Sequence, residues 1–173
     1  MLKWIPGWVG LLVAGVAVAQ THGAHEHGVA NLDVVLEGRR LSVEVTGPLD
    51  NFAGFEHAPR NAAERDALDR ALDLLRKPGT VVALPEAAGC VLTTSELHNP
   101  FAAAQAGAGA DRHADLTASY EFDCATPAAL KRLDVQLFDS FPRLRKLRAA
   151  VVAPAGQSGA ELAKGRASLK LAS

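Results

Sequence analysis

The 173 residues carry 18 lysines and arginines against 19 aspartates and glutamates, which gives a formal net charge of −1 with neutral histidine. This dispersed and nearly balanced charge, with no basic stripe, excludes a typical nucleic-acid-binding protein. The length suits one domain with a substantial hydrophobic core.

The first residues have the pattern of a secretory signal peptide. Lys3 lies in a short charged region, an apolar run begins at Val9, and the segment ends on the small-x-small sequence Ala17-Val18-Ala19. The apolar run is too short to span a membrane, and no cysteine follows the cleavage point, which argues against a lipoprotein. We therefore predict a signal peptide over residues 1–19, one exported domain over residues 20–173, and no membrane insertion after cleavage.

A histidine-rich run follows this segment. His22, His25 and His27 lie between Thr21 and Gly28. Neutral imidazole is the commonest protein ligand for zinc and copper, so the run favours metal binding. On a strand, His25 and His27 project from one face because they are two residues apart. The alternative is a solvated N-terminal tail.

Cleavage after Ala19 would create a second kind of metal site. The new N-terminus reads Gln20-Thr21-His22, with a free amine and histidine in third position. An amine, two deprotonated amides and an imidazole can surround Cu(II) or Ni(II) in a square plane. We therefore predict a copper or nickel site there, which cyclisation of Gln20 would destroy.

The hydrophobic pattern predicts an α+β fold, mostly antiparallel sheet, with one amphipathic helix and short helical turns. Alternating apolar residues predict a hairpin over residues 27–46, and residues 49–59 are predicted to form a loop. A capping box at Asn61 and Glu64 opens the helix, which Pro78-Gly79 ends. The remaining predicted elements are a helical turn at residues 128–132, a turn at residues 154–159, and strands at residues 81–84, 90–97, 114–124, 134–138, 147–153, 160–162 and 168–171.

Cys90 and Cys124 are the chain's two cysteines. An even pair in an exported chain predicts one disulfide. Antiparallel pairing of strands 90–97 and 114–124 puts the two cysteines opposite each other, so the disulfide would clasp that hairpin. A cysteine metal site is the alternative.

The remaining candidate ligands are histidines on separate segments. His57 lies in the loop after the first hairpin, and His98 and His113 flank residues 99–112, an Ala/Gly-rich segment that is predicted to be flexible. Three or four histidines from separate segments suit zinc, which takes four protein ligands, or three and a water. The carboxylates predicted to orient these rings are Glu26, Glu56 and Asp115.

Enzymatic chemistry finds no support in the motifs. The sequence has no Gly-x-Ser-x-Gly elbow, no His-Glu-x-x-His and no phosphate-binding glycine loop. Its two cysteines are assigned to the disulfide, so neither is free to act as a nucleophile. We therefore predict that the protein is not an enzyme.

Several short motifs carry a family resemblance when they are taken together. They are His25-Glu26-His27-Gly28, Gly54-Phe55-Glu56-His57-Ala58-Pro59, Leu84-Pro85 with Ala88-Gly89-Cys90, His113-Ala114-Asp115-Leu116 with Tyr120-Glu121-Phe122-Asp123-Cys124, Asp134 to Leu137, Phe141-Pro142 and Gly156-Gln157. In combination they resemble the periplasmic zinc-regulated, zinc-binding proteins encoded beside zinc-uptake ABC transporters.

The resemblance covers nearly all of residues 24–171. It implies a soluble periplasmic zinc-binding protein that acts as an accessory carrier or chaperone in zinc acquisition, with a zinc ABC transporter or its components as partner. In such proteins the loop between the disulfide-linked strands is often packed with His and Asp, whereas residues 99–112 contain only Asp111, which speaks against zinc scavenging by this loop. The alternative function is a structural or interaction module of a periplasmic transport complex with no high-affinity metal site. The implied zinc ligands are His25, His27, His57 and His113, with His98 and His22 as secondary candidates.

Overall fold

A computed structural model of the protein describes residues 26–102 and 114–171. It confirms the α+β class with mostly antiparallel strands. None of the helices in these two ranges is long and apolar enough to cross a membrane. The elements are β1 (Val29–Glu37), β2 (Arg40–Pro48), α1 (Asp50–Ala53), α2 (Ala62–Leu75), β3 (Val82–Ala83), β4 (Cys90–His98), β5 (Asp115–Cys124), β6 (Arg132–Val135), α3 (Leu137–Ser140), β7 (Lys146–Ala153), β8 (Gly156–Ala163) and β9 (Ser168–Lys170).

The strands form two sheets. The larger sheet has six strands in the order β4-β5-β2-β1-β7-β8, and the smaller sheet has three in the order β3-β6-β9. Every pairing is antiparallel except that of β1 with β7, which is parallel. A parallel pair needs a long crossover instead of a tight turn, and here the chain from β2 to β7 supplies it. Near Gly28, the start of β1 therefore lies beside the start of β7, although the two strands are far apart in sequence.

The core lies against one face of the large sheet. Alternate residues of β1 and β2, such as Leu32 and Val43, are buried, whereas their neighbours are mostly exposed, as expected for a sheet covered on one side. The apolar stripe of α2, including Leu72 and Leu75, is buried in the same core. The hydroxyl of buried Tyr120 on β5 donates to the Leu75 carbonyl and ties the helix to the sheet.

The capping of α2 differs slightly from the predicted capping box. Asn61 Oδ1 accepts from Glu64 N at 2.9 Å, as predicted. Glu64 Oε2 reaches back to Arg60 N at 2.7 Å, one residue before the cap. This bond from the Arg60 amide holds the pKa of the Glu64 carboxyl below its usual value.

The disulfide-clasped hairpin is confirmed. Cys90 and Cys124 are directly opposite in the β4–β5 register and are bonded to each other, which excludes the cysteine metal site. The register shifts once, between Leu92 and Thr94.

Four predicted elements need correction. The loop predicted over residues 49–59 begins with α1, a helix of only four residues without a side-chain cap, which no propensity argument would detect. The strand predicted over residues 134–138 is β6 followed by α3, because the alternating buried residues Val135 and Leu137 fit a strand although Leu137 begins a helical turn. The turn predicted over residues 154–159 is shorter, since β8 begins at Gly156. The helical turn predicted over residues 128–132 is a 3-10 turn, Pro127–Ala129.

The open face of the large sheet carries an unfavourable pair of carboxylates. Asp33 on β1 lies directly opposite Glu44 on β2. Partial burial, and then the charge of Glu44, raise the pKa of Asp33. We expect Asp33→Asn to raise the free energy of unfolding at about pH 7 by up to roughly 0.5 kcal/mol, because like charges directly opposite destabilise a sheet.

This gain should depend on pH in a defined direction. Because the pKa of Asp33 is raised by folding, wild-type stability falls as pH rises from the unfolded-state pKa, about 3.9, through the folded-state value. Urea unfolding should therefore show the gain near pH 7 and none near pH 3. Asp73→Asn, which removes an exposed carboxylate paired with Arg76, serves as the control and should not stabilise. Equal gains at both pH values would show that charge is not the cause.

Candidate metal site

The short segment Glu26–Gly28, which carries His27, is fixed at the start of β1. Gly28 N donates to Asn51 Oδ1 at 2.6 Å, and Gly28 O accepts from the backbone amides of Arg145 and Lys146 at 2.8 and 3.0 Å. Gly28 has φ 83°, and a Cβ there would lie 2.5 Å from Arg145 Nε, so only glycine fits. The backbone on the C-terminal side of His27 therefore has one defined position.

Two arginines near the start of β7 hold the same segment from the other side. Arg145 Nη2 donates to the carbonyl of His27 at 3.0 Å. Arg148 Nη2 lies 2.7 Å from Glu26 Oε2. Glu26 was predicted to orient an imidazole, and in the structure its carboxylate pairs with Arg148.

The His27 imidazole faces two carboxylates. Its Nδ1 lies 3.2 Å from Asp50 Oδ2 and 3.6 Å from Glu56 Oε1. Glu56 Oε1 is buried and accepts no hydrogen bond from the residues that the structure describes. The His27 side chain is 65% exposed, against 11% for Asp50. Because a carboxylate accepts, a neutral His27 that donates from Nδ1 keeps the lone pair of Nε2 for a metal ion.

Asp50 opens α1 and is held by Arg143. Arg143 Nη2 donates to Asp50 Oδ1 at 2.6 Å, and Arg143 Nε donates to the main-chain carbonyl of Asp50 at 3.1 Å. One carboxylate oxygen of Asp50 therefore faces an arginine and the other faces His27.

The His57 imidazole has contacts that differ from those of His27. Its Nδ1 lies 3.0 Å from the carbonyl oxygen of Ala58 and 3.8 Å from Glu64 Oε2. The ring stacks on Phe55, with centroids 5.3 Å apart and an interplanar angle of 27°. A carbonyl oxygen only accepts, so this bond requires a proton on Nδ1 and leaves the Nε2 lone pair of neutral His57 for a metal.

Of the other predicted ligands, His98 lies in the described part of the chain and away from His27. His98 ends β4 opposite Thr117, and β4 is three strands away from β1 in the sheet, which is roughly 14 Å at the usual strand spacing. His22, His25 and His113 lie outside the described residues, and so does the Gln20-Thr21-His22 site. Across residues 26–102 and 114–171, no group of three or more His, Cys, Asp or Glu side chains could hold a metal ion.

The donors that are present nevertheless fit zinc chemically. Imidazole nitrogen and carboxylate oxygen are both zinc ligands, and a neutral His27 with its proton on Nδ1 offers the lone pair of Nε2 to a metal. Glu56 Oε1, which is buried beside His27 and has no hydrogen-bond partner among the described residues, is an acceptor suited to a cation or to an imidazole N–H. Asp115, the third carboxylate predicted to orient a ring, opens β5 opposite Pro48.

Sequence reasoning found His27 and Glu56 but missed three residues around them. Asp50 and Asn51 are buried polar residues between apolar Leu49 and Phe52, a pattern that could have been noticed within the predicted loop. No local signal points to Arg143, because it lies 93 positions after its partner Asp50.

Comparison with known proteins supplies independent information. A family model described as "ZrgA family zinc uptake protein" matches residues 24–171, which include both ranges that the structure describes. No curated protein sequence matches the chain. The family match confirms the resemblance drawn from the motifs.

Proposed function

Because the chain belongs to the ZrgA family of zinc uptake proteins, with a role in zinc acquisition, we propose that it is a non-catalytic periplasmic zinc carrier. In this role it takes up Zn(II) as cargo and passes it to a zinc ABC transporter. The Cys90–Cys124 disulfide supports an oxidising compartment such as the periplasm. The signal-like pattern of residues 1–19 supports export to that compartment.

The position of His27 is the observation that carries the proposal. Its carbonyl accepts from Arg145 Nη2, the next backbone amide donates to Asn51, and its Nδ1 faces the carboxylate of Asp50 at 3.2 Å. A metal-binding histidine almost always has its second ring nitrogen engaged in this way. A histidine that only decorates a loose tail would not be held by this many contacts.

The other proposed ligands come from segments next to His27 and Asp50. His57 offers Nε2 from the loop that also carries Glu56, and the sequence places His25 directly before Glu26. The sequence also places His113 directly before Ala114, whose carbonyl accepts from Leu49 N, next to Asp50, at 2.8 Å. We assign the cargo site to three or four of His25, His27, His57 and His113. Three histidines and a water would leave one position open for transfer to a partner.

The proposal is tested by zinc calorimetry in competition with a chelator, on mature protein that begins at Gln20. We expect one zinc per chain with sub-micromolar affinity. His27→Ala and His57→Ala should each weaken binding by roughly tenfold or more, about 1.4 kcal/mol, since each removes one ligand.

Two controls complete this experiment. His98→Ala should leave the affinity unchanged, because β4 is three strands from β1. His22→Ala removes the imidazole of the proposed copper or nickel site at Gln20-Thr21-His22 and should still bind one zinc. Weak binding at several sites, indifferent to His27 and His57, would instead favour an interaction module of a transport complex.

A further inference from the structure

We propose that Asp50, held in place by Arg143, is the positioning residue that sets the orientation and tautomer of the His27 imidazole. This inference rests on the proposed function, since it concerns the same site. It assigns to Asp50 a role that the sequence pattern had assigned to Glu26, Glu56 or Asp115.

Distances single out Asp50 among the nearby carboxylates. Asp50 Oδ2 lies 3.2 Å from His27 Nδ1, close to the upper end of hydrogen-bond distance, whereas Glu56 Oε1 lies at 3.6 Å and is too far for a hydrogen bond. Glu26 is engaged by Arg148. Of these carboxylates, Asp50 is therefore the one placed to accept a hydrogen bond from His27 Nδ1–H.

Arg143 makes Asp50 a rigid acceptor. It binds the Asp50 carboxylate through Nη2 at 2.6 Å and the Asp50 main-chain carbonyl through Nε at 3.1 Å. The two donors of one guanidinium thus hold both the side chain and the backbone of Asp50. Oδ1 of Asp50 is paired with Arg143 and Oδ2 faces His27 Nδ1, so we expect Asp50 to orient a ligand and not to become one.

The chemical consequence is a fixed choice between the two ring nitrogens of His27. A carboxylate at Nδ1 retains the proton there, so the lone pair of the ring is on Nε2. Without this partner the imidazole would sample both tautomers, and part of the population would lack the lone pair at Nε2. The ring would also lose the bond that restricts its rotation.

The first test is the tautomer of His27 in zinc-free protein, measured by long-range ¹H–¹⁵N NMR. The protein is purified after export and held at about pH 8. We expect the proton on Nδ1 in the wild type. For Asp50→Asn we expect a mixture of tautomers, because the amide group can donate as well as accept.

Zinc affinity is the second readout on the same proteins. Asp50→Asn should weaken zinc binding by roughly tenfold or more, the usual effect of losing an orienting partner. Arg143→Gln keeps the Asp50 carboxylate and should keep the Nδ1 tautomer, with a smaller loss of affinity. Asp123→Asn is the matched control, because Asp123 is also an arginine-paired aspartate, held by Arg39, but lies at the other end of the sheet. It should change neither readout.

Several outcomes would overturn the role of Asp50. A wild-type His27 with its proton on Nε2 would do so even if no variant folds. So would zinc bound at His27 Nδ1, or an Asp50→Asn protein with unchanged tautomer and affinity. The proposed function fails separately, if the wild type binds zinc weakly or without regard to His27, because the tautomer is measured in the absence of zinc.

Discussion

Replacing Cys90 and Cys124 together with alanine is expected to lower the free energy of unfolding by about 3–4 kcal/mol. The disulfide joins residues 34 positions apart, and closing a loop of this length removes conformational entropy from the unfolded chain. Cys124 is fully buried, so its replacement also leaves a small cavity in the core. Urea unfolding of the variant, followed by far-ultraviolet circular dichroism, measures the loss.

Wild-type protein with its disulfide reduced is the control for this loss. It should lose nearly the same stability as the double variant, apart from the cavity left by alanine. A loss below about 1 kcal/mol would show that the β4–β5 pairing, which continues as far as His98 opposite Thr117, holds the hairpin without the covalent link.

The double cysteine variant also tests whether stability and zinc binding are independent. Cys124 and Arg40 lie near one end of the sheet, whereas Gly28 and Asp50 lie beyond the opposite end of the β1–β2 hairpin. The folded fraction of the double variant should therefore bind zinc as tightly as the wild type. Zinc should also raise its unfolding midpoint, because a ligand that binds only the folded state stabilises it.

Local sequence patterns predicted the parts of the fold that depend on local periodicity or on cysteine pairing. The β1–β2 hairpin follows from period-two alternation, and the disulfide from two cysteines on adjacent predicted strands. The parallel β1–β7 pair could not be predicted in this way, because it joins Val29 to Lys146 and depends on how the whole chain packs. The four-residue helix α1 is too short to leave a periodic signal.

The candidate site likewise combines a residue that the sequence predicted with residues that it did not. His27 was predicted as a ligand from the His-rich run, since the capacity to bind a metal depends on residue type. Its partner Asp50 is 23 positions away, and the arginine that holds Asp50 is 93 positions further on. Only the parallel pairing of β1 with β7, which places the segment before Lys146 beside Gly28, brings these groups together. The sequence alone therefore predicted His27 as a candidate ligand, whereas Asp50 and Arg143 could be recognised as its partners only from the fold.

Asn51 links the stability of the fold to the site, and Asn51→Ala is expected to lower the free energy of unfolding by about 2–6 kcal/mol. Its side chain is 1% exposed, and it accepts from Gly28 N at 2.6 Å and donates to Val29 O at 2.8 Å. Alanine would leave both buried backbone groups without these partners, at about 1–3 kcal/mol each. Urea unfolding of the zinc-free protein measures this loss.

Zinc affinity decides whether Asn51 also supports the site. Because Asn51 fixes the backbone directly after His27, Asn51→Ala should weaken zinc binding by about tenfold in the folded protein. Leu68→Ala is the matched control, since it removes a buried side chain from α2, costs about 2–5 kcal/mol and leaves Glu26–Gly28 untouched. If both variants bind zinc equally well, Asn51 stabilises the fold only. If only Asn51→Ala loses affinity, the Asn51 side chain holds His27 in position. This result is expected for a metal ligand that the fold positions.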